Sequence, residues 1–343
     1  MRSITLRHAW LAAASLALVM LAATAAQGAV TVRKIAYKGW PDCYQISNGT
    51  VKLIVTADVG PRVIFYGFEN GPNEFHEWPN QLGKRGGDTY RNYGGHRLWV
   101  APENKRTYFP DNVPVKVVET HRRGHLVVRF IAPEELRPYP TYLQKEIDIE
   151  LAPTGTHVYV HQIITNRGTR AQTLAPWSIS QMARDGHAVF PFPPKAPWGP
   201  KHFQPVIPLA LWSYTDFSDS RWTLGQKFLE LQQERDPAGK YKQQKIGLFD
   251  AAGWGAYYNR HHLFVVRVDV HKGANYPDFG CNFETYTEPR FLEFETLGPT
   301  VDLQPGKSVH HDEQWWLFND VPGGKGDAWA ERVVVPRVRR TRW

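Results

Sequence analysis

Short strand-like runs separated by turn residues fill most of this 343-residue sequence, and they constrain its fold more than any other feature. The clearest stretch is 279–318, where runs rich in aromatic and β-branched residues are separated by turns at Glu288–Arg290 and Pro305–Gly306. Roughly eighteen such runs recur along the chain, and each predicts a strand. Helical periodicity is scarce, and only 229–235 and 328–334 are expected to form short helices. The pattern predicts an all-β fold, a large antiparallel sandwich.

The first 29 residues have the features of a secretory signal peptide. Arg2 and Arg7 form a basic start, Ala9–Ala26 is apolar, and the small residues at 26–29 suit cleavage. No later run is long enough to cross a bilayer. We therefore expect an exported mature chain without a membrane span, located in the periplasm or secreted.

The remaining chain is expected to form one domain over residues 30–320, since large β-sandwiches reach nearly this size. A basic C-terminal tail follows over residues 321–343 and is interpreted as a solvated end. The formal net charge is +8, but outside the tail both signs are mixed without a basic stripe, which argues against nucleic-acid binding. Seven prolines in 189–208 predict an extended surface segment, because proline cannot donate to a central strand.

The two cysteines, Cys43 and Cys281, allow two interpretations. In an exported chain they could form a disulfide, or they could be two buried thiols in separate strands, and their spacing does not decide between these. The sequence shows no ligand spacing typical of a metal site and no glycine-rich phosphate-binding motif. Neither a metal nor a cofactor is expected.

Two carboxylates on one face of the predicted strand 290–297 are the leading candidates for a functional site. Side chains alternate along a strand, so Glu293 and Glu295 face one way while Leu292 and Phe294 face the other. Two carboxylates among large apolar residues are costly unless they are paired or used. The alternative interpretation is a structural network of ion pairs with an arginine or lysine.

A second group of candidates lies in the segment 94–103, which begins with two glycines that permit close backbone approach. His96 is either a functional residue or a buried structural histidine. Arg97 and Trp99 share the opposite strand face, where they would bind and stack on a ligand. Glu103 either binds a ligand together with Arg97 or pairs with that arginine. Two further candidates for ligand binding are Trp177 and Glu284.

The order of these features resembles that of the galactose-mutarotase-like superfamily, which includes aldose 1-epimerases. The resemblance rests on Leu292-Glu293-Phe294-Glu295, on Leu303–Gly306, and on the aromatic end of the last strand at Trp315–Phe318, with Gly94–His96 as a looser match. It extends over residues 31–320 and is nearest to an uncharacterised bacterial branch. It implies a β-supersandwich of two large antiparallel sheets, with a sugar cleft over one of them.

The resemblance also implies ring-opening chemistry, in which a Glu accepts the anomeric hydroxyl proton and a His protonates the ring oxygen. Glu293 matches the base, His96 is the candidate acid, and Glu295 stands where the family often has Gln. The family's central His-bearing segment falls near Pro176–Ser180, where Trp177 cannot donate a proton in that role. We therefore expect a protein that binds a sugar or a glycan end, either with aldose epimerase-like activity or as a non-catalytic binding domain. An accessory role in a lyase or hydrolase is a third interpretation.

Overall fold

Strands make up nearly all of the regular structure in the computed structural model, which describes residues 29–195, 197–201, 203–236, 239 and 242–341. The predicted leader, apart from Ala29, lies outside the described residues. Within these ranges no helix has both the length and the apolar character needed to span a membrane. The strands, in chain order, are β1 (Thr31–Tyr37), β2 (Trp40–Ser47), β3 (Val51–Thr56), β4 (Arg62–Phe68), β5 (Gly95–Ala101), β6 (Lys116–Arg122), β7 (His125–Ile131), β8 (Leu143–Leu151), β9 (Val158–Asn166), β10 (Gln172–Met182), β11 (His187–Pro191), β12 (Leu209–Leu211), β13 (Trp222–Leu224), β14 (Phe228–Gln232), β15 (Gln244–Leu248), β16 (Trp254–Asn259), β17 (His262–Val268), β18 (Phe283–Glu288), β19 (Phe291–Leu297), β20 (Val301–Leu303) and β21 (Ser308–Phe318).

The strands form two antiparallel sheets, which confirms the predicted all-β sandwich. The first sheet has 11 strands in the order β1-β2-β3-β4-β5-β10-β19-β18-β15-β12, and β20 also pairs with β10. The second has 10 strands in the order β13-β14-β11-β16-β17-β21-β9-β8-β7-β6. Strands distant in sequence are neighbours in both sheets, so the middle of the first sheet brings together β5, β10, β19, β18 and β15.

The hydrophobic core lies between the sheets and uses one face of each strand. In β19 the alternation runs as predicted, because Leu292 and Phe294 enter the core while Glu293 and Glu295 face away from it. The ring of Phe294 stacks on Phe190 of the second sheet, with centroids 5.0 Å apart. Each fully buried side chain of this size stabilises the fold by about 1.5–3 kcal/mol. The core thus holds the first sheet in place and leaves its other face to form a site.

Two local predictions were wrong. Residues 229–235 were expected to be helical, but Phe228–Gln232 is strand β14, paired with β11 and β13. A short apolar run does not distinguish helix from strand, and pairing between distant strands decides here. The proline-rich segment was expected to stay outside the sheets, yet Val189–Pro191 belong to β11. They fit because β16 pairs with β11 only as far as Val189, which places the proline at the strand end.

The C-terminal segment is ordered against the second sheet, which corrects its interpretation as a solvated tail. It contains two short α-helical pieces joined by a π-helical turn, and this agrees with the helix predicted at 328–334. Side chains such as Trp329 and Val338 are buried in a cluster on the outer face of the second sheet. Both cysteines are buried free thiols, as one of the two interpretations proposed, but only Cys43 lies in a strand, since Cys281 precedes β18. The short helical elements are α1 (Pro277–Gly280), α2 (Gly326–Trp329), the π-helical turn (Ala330–Val334) and α3 (Val335–Arg339).

Candidate functional site

A cavity of about 290 Å³ lies on the face of the first sheet that points away from the core. Strands β5, β10, β15, β18 and β19 form its floor, and loops supply the rim. Aromatic rings from the strands line it, and these are Trp99, Trp177, Tyr286 and Phe291. Three further rings come from the loops, namely Tyr90, Tyr108 and Tyr214. We call this cavity the aromatic pocket.

Two glycines at the start of β5, Gly94 just before the strand and Gly95 as its first residue, allow the strand to approach its neighbours closely. Gly94 and Gly95 have φ angles of +101° and +72°, and a Cβ at either one would lie 2.1–2.2 Å from the backbone oxygens of His76 and Val63. Only glycine tolerates such an approach. Downstream of the pair, the alternation of β5 directs Arg97 into the pocket.

Glu293 is the carboxylate of the floor that solvent reaches, with 15% of its side chain exposed. Its Oε1 accepts hydrogen bonds from Arg97 Nη2 at 3.2 Å and from Gln181 Nε2 at 2.9 Å. Gln181 is itself held by Trp78, whose Nε1 donates to Gln181 Oε1 at 2.8 Å. The guanidinium of Arg97 lies 4.1 Å from the ring centre of Trp99. These contacts fix the carboxylate through one oxygen at the lining of the cavity.

Glu295 and Glu284 lie beneath the pocket wall and are fully buried. Lys245 Nζ lies 3.0 Å from Glu295 and 2.8 Å from Glu284, and Trp177 Nε1 donates to Glu295 at 2.9 Å. The ammonium also sits between the rings of Trp177 and Trp212, 4.7 and 4.5 Å from their centres. The sequence therefore placed Glu293 and Glu295 on the correct face, but Lys245 covers Glu295 together with Glu284.

The ionisation of this buried group follows from its packing. Burial raises the pKa of Glu295 to about 7, against the opposing effect of Lys245. Burial alone would lower the pKa of Lys245, but Glu295 and Glu284 outweigh burial and raise it well above its ordinary value. Burial likewise raises the pKa of Glu284 well above its ordinary value. Lys245 is thus held as one ammonium facing two carboxyl groups, both of which burial disposes to keep a proton. It lines the pocket as a hydrogen-bond donor that keeps its proton.

His96 does not join Glu293 in the pocket, because adjacent residues of a strand face opposite ways. Its ring is buried between the sheets, with Nδ1 2.9 Å from Ser180 Oγ and the ring centre 4.7 Å from that of Trp315. Burial lowers the pKa of His96 to about 3, so the ring is neutral at ordinary pH. The geometry matches the interpretation as a structural histidine and does not place a proton donor beside Glu293.

The remaining candidates lie near the rim or apart from the site. Glu103 lines the pocket and accepts a hydrogen bond from Tyr108 rather than pairing with Arg97. Lys245 and the loop tyrosines were not predicted as site residues. The one sequence signal for Lys245 is a charged residue at the start of an otherwise apolar run, Lys245–Leu248. Within the ranges that the structure covers, no three His, Cys, Asp or Glu side chains converge in a way suited to a metal ion.

Comparison of the chain with known proteins supports the fold. No known family profile matches the sequence, and no curated protein does. Among solved structures, a proposed aldose 1-epimerase from Klebsiella pneumoniae superposes with a TM-score of 0.51 at 12% identity, over 91% of this chain and 87% of that one. A proposed mutarotase from Salmonella typhimurium gives 0.50 at 10% identity, over 84% and 94%.

A TPR-domain containing protein from Parabacteroides distasonis also superposes, with a TM-score of 0.52 at 15% identity. The match covers 82% of this chain but spans only about half of that protein, 48% of its length. At these identities the likeness concerns architecture. Together with the two antiparallel sheets, it shows that this chain has the galactose mutarotase-like fold.

Proposed function

We propose that the protein binds the terminal unit of a saccharide in the aromatic pocket. The observation that carries the proposal is Glu293, a partly exposed carboxylate that Arg97 and Gln181 fix through one oxygen at the lining of a cavity walled by aromatic rings. A saccharide offers the complementary chemistry, because its hydroxyls bond to carboxylates and guanidinium groups while its C–H faces pack on aromatic rings. The fold of proteins described as mutarotases and aldose 1-epimerases agrees with a carbohydrate ligand.

The size of the pocket favours one sugar unit over a long chain. Pockets for small molecules start at roughly 300 Å³, and the volume here is about 290 Å³. Glu103 and Tyr108 at the rim would contact a hydroxyl on the exposed side of the ring. A glycan would therefore insert its end and extend outward over the rim.

The geometry supports binding better than anomer exchange. Exchange needs a base at the anomeric hydroxyl and an acid at the ring oxygen. Glu293 is placed to be a base, but no imidazole is among the side chains that line the pocket in the described part of the chain. Burial raises the pKa of Tyr214 to about 12 and raises those of Tyr90 and Tyr286 as well. The pKa of Lys245 is raised as well. These tyrosines and this lysine would therefore be weak acids in place of the missing imidazole.

Aldose epimerase activity with Glu293 as base is the second candidate function. It is favoured by one observation, the position of Glu293 at the carboxylate expected from the family resemblance. It requires a proton to reach the ring oxygen from water or from a tyrosine. An NMR anomer-exchange assay over several aldoses separates it from binding, since a binding protein leaves the exchange rate at its uncatalysed value.

A glycan array followed by titration calorimetry tests the proposal. We expect selective binding to a class of glycan ends, and a loss of about tenfold or more in affinity for Glu293→Gln, because a hydrogen bond to a charged group is removed. Glu119→Gln is the matched control, since Glu119 is exposed on β6 in the other sheet. An array without binding, or equal losses in the two variants, would contradict a saccharide site at Glu293.

We also propose that the protein acts outside the cytoplasm. The support is the basic, apolar and small-residue pattern of the first 29 residues. Mass spectrometry of the protein from a fractionated cell would show a mature chain beginning near residue 30 in the exported fraction. An intact N-terminus in the cytoplasmic fraction would contradict export.

A further inference from the structure

A second cavity, of about 650 Å³, opens beside the aromatic pocket and carries a surplus of positive charge. Its lining residues include 183–185, which follow the end of β10, and several residues within 73–82. Its cationic side chains are Lys38, Arg184, Arg235 and Arg260, and its carboxylates are Glu77 and Asp185. Four cations against two carboxylates make this a site for negative charge. We call it the basic cavity.

Two of the cations are neutralised inside the cavity. Lys38 pairs with Glu77, and Arg235 donates from Nε and Nη2 to the two oxygens of Asp185 at 3.1 and 2.7 Å. These pairs shape the cavity but add little net charge. The surplus therefore comes mainly from Arg184, since Arg260 also lies 3.8 Å from the buried carboxylate of Glu74.

Arg184 has no carboxylate within 4.0 Å among the residues that the structure describes. Its Nε donates to the backbone oxygen of Arg290 at 2.8 Å, which anchors the side chain, and the residue lines the cavity. Arg260 Nη2 donates to the backbone oxygen of Asn73 at 2.7 Å. It lies 3.8 Å from Glu74, whose other oxygen is engaged by His262 at 2.6 Å. Two anchored guanidinium groups thus keep donors for an incoming anion.

One stacked pair of rings separates this cavity from the aromatic pocket. His76 lines the basic cavity and Phe291 lines the aromatic pocket, and their rings lie 5.8 Å apart at an interplanar angle of 17°. Gln181, which holds Glu293, precedes Arg184 by three positions at the end of β10. A saccharide whose end lies against Glu293 would reach the guanidinium groups by crossing the edge of Phe291.

We propose that Arg184 and Arg260 form an anion-binding subsite, and that the protein prefers an acidic saccharide whose carboxylate or sulfate lies in the basic cavity. This inference rests on the proposed function, since it takes the neutral end of the ligand to lie in the aromatic pocket. The shared chemistry is an anionic oxygen group that accepts charge-assisted hydrogen bonds from arginine. The subsite selects the charge of the ligand, while Glu293 and the rings select the sugar.

Matched disaccharides measured by titration calorimetry at low and high salt test the subsite. Galactobiose is compared with galacturonosyl-galactose, and cellobiose with cellobiouronate, so that the members of each pair differ in one carboxylate and the acidic member keeps one neutral unit. Inorganic sulfate is titrated separately to distinguish a sulfate preference from a carboxylate preference. The variants are Arg184→Gln, Arg260→Gln and the charge-retaining Arg184→Lys. Arg33→Gln, on the exposed edge strand β1, controls for net charge.

We expect at least one acidic disaccharide to bind about tenfold more tightly than its neutral partner at low salt. Arg184→Gln and Arg260→Gln should each reduce this advantage and leave the neutral disaccharide unchanged, while Arg184→Lys retains part of it. High salt should reduce it because exposed charges are screened. Arg33→Gln should retain it in full.

The outcomes separate the two proposals. Equal affinities within both pairs, or the same loss in Arg33→Gln, would overturn the anion subsite and leave the saccharide pocket standing. If no disaccharide binds but sulfate binds and Arg184→Gln abolishes that binding, the proposed function fails while the anion site remains. Absence of binding by every probe overturns both.

Discussion

His96 and Arg97 are consecutive residues of β5 with opposite surroundings. Arg97 points into the aromatic pocket and holds Glu293 at 3.2 Å, whereas His96 points between the sheets and contacts Ser180. A strand turns successive side chains to opposite faces, so no rotation of the ring could bring His96 beside Glu293. Glu293 therefore lies in the aromatic pocket with Arg97 beside it, while His96 lies on the other face of the sheet.

Replacing His96 by Gln should therefore affect folding rather than ligand binding. The substitution disturbs a buried hydrogen bond and a contact with Trp315, so we expect a loss of about 1–3 kcal/mol in unfolding free energy. Affinity for the glycan found by the array should stay within about twofold. Urea unfolding and calorimetry measure the two effects. A large loss of affinity with unchanged stability would assign His96 to the site after all.

Lys245 should be essential for stability as long as Glu284 and Glu295 are ionised. Lys245→Met leaves two carboxylates buried without a cation, and removing one partner of a buried pair costs about 3–5 kcal/mol. The loss should be smaller at pH 5 than at pH 8, since at the lower pH the carboxyls bind protons. Unfolding curves at the two pH values measure the difference.

The control for Lys245→Met is the triple variant Lys245→Met, Glu284→Gln, Glu295→Gln. It removes the uncompensated charges together with the cation, and most of the lost stability should return. If the triple variant is no more stable than the single one, the packing of the lysine stem beside Trp177 matters more than its charge.

Local sequence patterns predicted which side chains of a single strand face the site. The alternation of β19 places Glu293 and Glu295 on one face, and Glu284, also named as a candidate, lies opposite Glu295 on β18. Register between distant strands was not predictable in this way. Lys245 reaches Glu295 only because β15 pairs with β18, and this pairing decides that Glu295 is covered while Glu293 is open.

The burial of Glu313 between the sheets should make stability depend on pH. Thr296 and Trp315 donate to its two oxygens, but burial dominates and raises the pKa of Glu313 from 4.5 to about 7. The folded protein then keeps a proton that the unfolded chain releases between these values. Stability from this group is present at low pH and is lost as pH rises through 7.

Glu313→Gln should remove that pH dependence. Relative to the unchanged protein, the variant should gain about 2–3 kcal/mol between pH 5 and pH 8. Urea unfolding at intervals across this range measures the difference, and Glu119→Gln on the surface should show no such trend. A constant difference between variant and unchanged protein would mean that Glu313 stays ionised in the folded state.

The C-terminal segment should contribute to stability through Trp329. The charge of Arg337, Arg339 and their neighbours suggested a solvated tail, whereas Trp329 and Val333, four positions apart, form an apolar face that packs on the second sheet. The indole also donates from Nε1 to the backbone oxygen of Pro322 at 2.8 Å. Both contacts disappear together when the ring is removed.

Trp329→Ala should therefore lower the unfolding free energy by about 3–5 kcal/mol, as expected for a large aromatic side chain removed from a packed cluster. Arg332→Ala is the matched control in the same segment, because that side chain is exposed and should change stability by less than about 0.5 kcal/mol. Urea unfolding measures both variants. Equal, small effects would show that the segment detaches from the sheet in solution, and its ordered packing would then contribute nothing to the fold. A large effect of Trp329→Ala alone makes residues 326–339 an integral part of the sandwich, since the cluster they cover on β16 and β17 would otherwise face water.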